Sequence, residues 1–182
     1  LLLLARAAPA LGEGPPTSAE PSFCAPDAFL AREVVGAAPA GIERLRTFRL
    51  GAALLAGMAI GDSDASAVAR LAEGYGPAAT DHYCTWYVNR GNQKAEKSFH
   101  QIYLPNPRRL DPDEAAKDYG DLFGPALAPG AGGVWPCLEE KGYLAVGCNG
   151  MKHRGPTAFG MVLAALGCTP EHAAEIVNRV WG

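Results

Sequence analysis

Phe159, Val162, Leu163 and Leu166 fall at i, i+3, i+4 and i+7, the apolar stripe of a helix packed on one side. Gly167 stops that helix, and Thr169-Pro170-Glu171 starts another with a hydroxyl cap, a proline at the first helical position and an acid behind it. Ala173, Ile176, Val177, Val180 and Trp181 form the second stripe, so the spacing predicts a C-terminal helical hairpin. Upstream, Ile42, Leu45, Phe48, Ala52 and Leu55 step by three or four between Glu43, Arg44, Arg46 and Arg49, which predicts an amphipathic helix ending near Gly61. Its second half, GAALLAGMAIG, is apolar all round and is expected to be buried.

Shorter helices are predicted from Pro26, from Asp62 or Ser63, from Thr80 or Asp81 through Cys84 to about Asn89, and over DPDEAAKDY at 111–119. Glycines and prolines between Phe123 and Pro136 predict a long loop, and only GYLAVG at 142–147 reads as a strand. The expected fold is therefore mainly α: a single compact helical domain with a C-terminal helical hairpin and at most a small β-hairpin, stabilised by disulfides.

Length and composition frame that expectation. A chain of 182 residues, 48% hydrophobic and 19% charged, is one globular domain with a core large enough to fold on its own. The opening LLLLARAAPALGEGPPTSAEPS joins a short apolar run to small residues and then to a Gly, Pro, Ser and Thr stretch. Residues 1–22 are read as a signal or targeting remnant with a flexible linker, and residues 23–182 as the helix-rich domain. The apolar run is shorter than the roughly 20 residues of a membrane span. Secreted, periplasmic or lumenal placement is expected, with mitochondrial import as the alternative. A net charge of −3 exerts no whole-domain pull on nucleic acid, and no cofactor is indicated.

Five cysteines, Cys24, Cys84, Cys137, Cys148 and Cys168, are spread through the domain without a CxxC pair. In an oxidising compartment such cysteines pair. Cys137 with Cys148, flanking the GYLAVG strand, and Cys24 with Cys168, tying the entry segment to the terminal hairpin, are the expected bonds. His82 and Cys84, with Cys137, Cys148 or His153, are zinc-ligand types, but the close spacings of structural zinc sites are missing.

Two stretches suggest chemistry. In NGMKHRGPT, residues 149–157, Lys152, His153 and Arg154 immediately precede a predicted helix. Unpaired amides and the positive dipole end would sit beside three potential cations, an arrangement suited to a phosphate, sulfate or carboxylate. Arg90, Lys94, Lys97 and His100 would widen the patch if the fold gathers them. The second stretch, CTWYVNRGN with the later GAGGVWP and GYLAVGCNG, resembles the cysteine motif and strand region of the CHAP family of cell-wall amidases and peptidases. That resemblance implies a thiol hydrolase with Cys84 as nucleophile and His100 or His153 as base. Tyr83 stands where the family has glutamine, and Tyr143 where it has histidine. The expected function is an exported, disulfide-stabilised helical binding or accessory domain with no catalytic site of its own, its partner another protein or an anionic ligand. The alternative is the thiol amidase or peptidase.

Overall fold

A computed structural model of the protein describes residues 19–35, 40–61, 75, 84–89, 100–127 and 134–182. Five strands, β1 (Arg46–Leu50), β2 (Ala53–Ala59), β3 (Thr85–Asn89), β4 (His100–Tyr103) and β5 (Tyr143–Cys148), form one mixed sheet in the order β1-β2-β5-β3-β4. Only β1 runs antiparallel, as a hairpin with β2; β2, β5, β3 and β4 are all parallel. Among the described residues the α-helices are α1 (Pro26–Leu30), α2 (Pro112–Leu127), α3 (Arg154–Ala165) and α4 (Pro170–Trp181).

The sheet overturns the mainly α expectation, and the error has a physical cause. Parallel strands are buried on both faces and carry unbroken apolar runs without the alternation that marks a half-buried strand. All seven residues of β2 are buried or nearly so. ALLAGMA therefore has the same apolar signature as a buried helix turn. The three-and-four spacing from Ile42 to Leu55 straddles a hairpin whose turn lies at Gly51-Ala52, with Gly51 at φ +62°. A tight turn needing positive φ suits glycine, which has no Cβ to clash. TWYVN is β3 and not a helix, in keeping with its β-branched and aromatic residues. GYLAVG is a strand, but it is the central one, bonded on both sides. Where a loop was expected after Phe123, α2 continues through Pro125 to Leu127. The helix expected from Asp62 and the start of the one expected from Thr80 lie outside the described residues.

The two C-terminal helices are α3 and α4, the latter capped by the Thr169 hydroxyl, which accepts from the His172 amide. α3 lies across β5, β2 and β3, and α4 packs on α3. Phe159 of α3 meets Phe48 of β1 and Phe29 of α1 at ring distances of 6.2 and 6.3 Å, and Trp181 of α4 meets Phe159 at 4.7 Å. On the opposite face of β1, Thr47 bonds the Tyr75 hydroxyl at 3.1 Å, and Tyr75 stacks on Tyr143. Glu20 and Pro21 are held at the start of α4: the Glu20 carboxylate accepts from the Thr169 amide and approaches His172 Nδ1 at 2.9 Å, while Pro21 lies beside Gly167.

Two disulfides cross-link these layers. Cys24 bonds Cys168, joining the entry segment to the α3–α4 turn, and Cys84 bonds Cys137, joining the start of β3 to the one-turn π-helix (Pro136–Glu140) that feeds β5. The expected Cys137–Cys148 bond is not formed: Cys148 is a buried free thiol. An extended strand rises about 3.3 Å per residue, so β5 holds its two ends far beyond bonding distance. Two disulfides fit an oxidising, extracellular or lumenal compartment. No helix among the described residues is long and apolar enough to cross a membrane.

Candidate anion-binding site

The four parallel strands end on one side of the molecule, at Ala59, Asn89, Tyr103 and Cys148. Ligands of open parallel sheets bind in the crevice beyond these carboxyl ends, where side chains from successive loops converge. Here two loops build the crevice. One follows β4 through Pro105 and Asn106 into a single 3-10 turn (Pro107–Arg109); the other follows β5 through Asn149 to His153 and enters α3. Between them lies a cleft of about 450 Å³ bordered by Asn106, Arg109, Asn149, Gly150, Lys152 and His153.

Each loop is braced. Arg154 Nε donates to the Leu104 carbonyl at 2.8 Å, and Arg44 Nη1 donates to the Met151 carbonyl at 3.1 Å. Met151 is buried and sits at φ +45°, which turns the chain sharply between β5 and α3. The Asn106 side chain accepts from the Arg108 amide, and Tyr119 of α2 donates its hydroxyl to the Pro105 carbonyl at 2.9 Å. Burial raises the Tyr119 phenol well above its ordinary value, so it remains a donor at physiological pH. Groups held this way lose little freedom when a ligand arrives.

His153 is the residue before the first turn of α3, and no side chain caps that end. The first intrahelical bond runs from the Thr157 amide to the His153 carbonyl, which leaves the earlier amides without helical partners. Partial burial, then the positive charges of Arg108, Arg154 and Lys152, hold the His153 imidazole below its ordinary value. The neighbouring cations thus add to burial in disfavouring the protonated imidazole. Among the described residues no ion pair is formed by Arg108, Arg109 or Lys152, and no acid borders the cleft. Asp111, the nearest acid along the chain, turns its carboxylate onto the Asp113 and Glu114 amides at 2.9 and 3.0 Å.

The residues singled out in the sequence divide cleanly. Lys152, His153 and Arg154 come together at the cleft, although Arg154 spends its Nε on the Leu104 carbonyl. Arg108, Arg109 and Arg44 join them from segments the sequence pattern did not connect to the loop. Arg90, Lys94, Lys97 and the His100 side chain lie outside the described residues. Cys84 is bonded, so it has no thiolate to serve as a nucleophile, and neither it nor Cys137 can ligate zinc. The thiol hydrolase alternative falls with that bond. No family model, curated protein or solved structure matches the chain.

Proposed function

We propose that the protein is an exported, disulfide-stabilised binding or accessory domain without a catalytic site of its own, and that it receives an anionic ligand at the carboxyl edge of its parallel sheet. The observation that carries this reading is the gathering of Lys152, His153 and Arg109 around a cleft that no described acid borders, with Arg108 on the hollow that adjoins it at Lys152 and His153. A neutral partner would leave those charges crowded; an anion relieves the repulsion and accepts charge-assisted hydrogen bonds at the same time. The amides opening α3 add donors and a positive dipole end. The two cross-links support placement in an oxidising compartment.

Titration with inorganic phosphate and with sulfate, followed by amide and imidazole NMR signals, tests the reading. Shifts concentrated at 106–109 and 149–157 are expected, with the His153 imidazole moving toward its protonated form. Lys152→Gln combined with Arg109→Gln is expected to weaken binding at least tenfold. Signals unmoved at these residues, or moved equally in the double variant, would refute it.

A further inference from the structure

The cleft does not end at His153. Lys152 and His153 also border a second hollow of about 420 Å³, whose walls are Pro107, Leu110 and Pro112 on one side and Pro156, Ala174 and Val177 on the other. A third of about 280 Å³ continues from there past Asn178 to Trp181 and Arg44. The first hollow is thus polar and cationic, the second is an apolar trough, and both open onto Lys152 and His153.

Three features mark the trough as built rather than incidental. Its walls come from four places in the fold: the 3-10 turn after β4 with Leu110 just beyond it, Pro112 at the start of α2, the first turn of α3, and Ala174 and Val177 on the largely buried stripe of α4. Prolines 107, 112 and 156 fix the wall backbone and carry no amide donor of their own, so the surface is apolar and rigid. Arg108 and Lys152, the charged side chains on it, are both exposed to solvent, so an apolar group can enter without burying a charge. Apolar concavities of several hundred Å³ with a few converging polar groups are the usual form of a small-molecule site.

Resting on the anion reading above, we infer that the ligand is a small amphiphilic carboxylate, its head held by Arg108, Lys152 and His153 and its apolar body laid in the trough between Leu110 and Val177. The planar guanidinium of Arg108 matches the two oxygens of a carboxylate, and Lys152 adds a mobile point charge. Asn178 and Thr157, also on the trough, provide polar groups for an amide next to the carboxylate. The carboxylate end of a peptide closing in a branched apolar residue and a medium-chain acyl acid share this chemistry.

Titration calorimetry separates them with N-acetyl-leucine, N-acetyl-leucinamide, N-acetyl-glycine, octanoate and inorganic phosphate. N-acetyl-leucine is expected to bind at least tenfold more tightly than either its amide, which lacks the head, or N-acetyl-glycine, which lacks the body. Octanoate binding more tightly than N-acetyl-leucine would support the inference with an acyl chain as the body; the reverse order would support it with a peptide end. Leu110→Gln, a half-buried position whose melting temperature serves as the folding control, is expected to lose tenfold for both amphiphiles and nothing for phosphate. Lys152→Gln is expected to weaken all three. Phosphate binding that depends on Lys152, with no advantage for N-acetyl-leucine or octanoate over it, would overturn the amphiphile while leaving the anion site standing. Equal binding of N-acetyl-leucine and its amide would overturn it too, and failure of every anion would remove both readings.

Discussion

Replacing Gly57 by alanine tests how closely α4 lies on the sheet. Gly57 is a β2 residue beneath the Trp181 ring, and a Cβ built there would come within 2.6 Å of Trp181 Cη2, closer still to Cζ2, and within 2.9 Å of Met151 Cε. The methionine can swing aside; the indole cannot do so cheaply. Its Nε1 donates to the Arg44 carbonyl at 3.1 Å, and its edge packs against Phe159. Two opposing terms set the outcome. Alanine in a strand gains about 0.5–1 kcal/mol over glycine, while overpacking a core costs about 1–3 kcal/mol. With the ring pinned, the overpacking term wins, and Gly57→Ala is expected to destabilise by about 1–2 kcal/mol. Trp181→Ala alone should cost about 3–5 kcal/mol. In that background the steric term disappears and the alanine becomes neutral or mildly stabilising. The two changes are therefore coupled by about 2 kcal/mol, within the range of residues in direct contact. Urea denaturation followed by far-UV circular dichroism measures all four corners of the cycle. If Gly57→Ala costs the same with and without the indole, to within about 0.5 kcal/mol, the close approach of α4 to β2 is wrong.

Three further outcomes follow. Alkylation of the unfolded, unreduced protein should label Cys148 alone; the Cys84–Cys137 and Cys24–Cys168 bonds, spanning separations of 53 and 144 residues, should each contribute on the order of 4–5 kcal/mol in the chain-entropy account. Label at Cys84 would revive the hydrolase reading. Because the folded state holds His153 below its ordinary 6.5, the unfolded chain binds more protons in the window just beneath that value, and stability should fall as pH drops through it. His153→Gln should remove that slope, and a pH profile identical to wild type would contradict the lowered His153 imidazole. Glu20 is held below its ordinary 4.5, chiefly by the hydrogen bond from the Thr169 amide. Its contribution is therefore present above that value and lost as pH falls through the folded one, so Glu20→Gln should destabilise at neutral pH and converge with wild type in acid.

What the sequence revealed depended on what each segment faces. α4 shows one face to solvent and one to the core, and its stripe and Thr169-Pro170 start were readable directly. β2 and β5 show no face to solvent, so period carried no information there, and only the glycines beside them marked where strands turn. For β3 a signal existed, in Thr85, Trp86, Tyr87 and Val88, and was outweighed by the capping residues before Cys84. The candidate site was half legible. Lys152, His153 and Arg154 are contiguous and precede a helix, whereas Arg108 reaches the loop only because β4 and β5, with β3 between them, end on the same side of the sheet, and Arg44 reaches it from the segment before β1. The apolar trough had no sequence signature, since its walls are a few residues drawn from separate elements.

The position of β5 bears on how the protein can be made. It is the last strand in the chain and the middle one in the sheet, so until it arrives β1-β2 and β3-β4 share no strand pairing. At a synthesis rate of roughly 5–20 residues per second, the stretch from Tyr103 to Cys148 takes about 2–9 seconds to appear. Throughout that interval β2 and β3 each present an unpaired apolar edge, the kind of surface that recruits other chains. The thiols emerge in an equally awkward order. Cys24 and Cys84 are the first two available, yet each waits for a partner made later, Cys168 and Cys137. An early bond between them would join the wrong pieces and would have to be exchanged away. The yield of native protein should therefore depend on thiol–disulfide exchange and on shielding during emergence far more than its finished stability suggests.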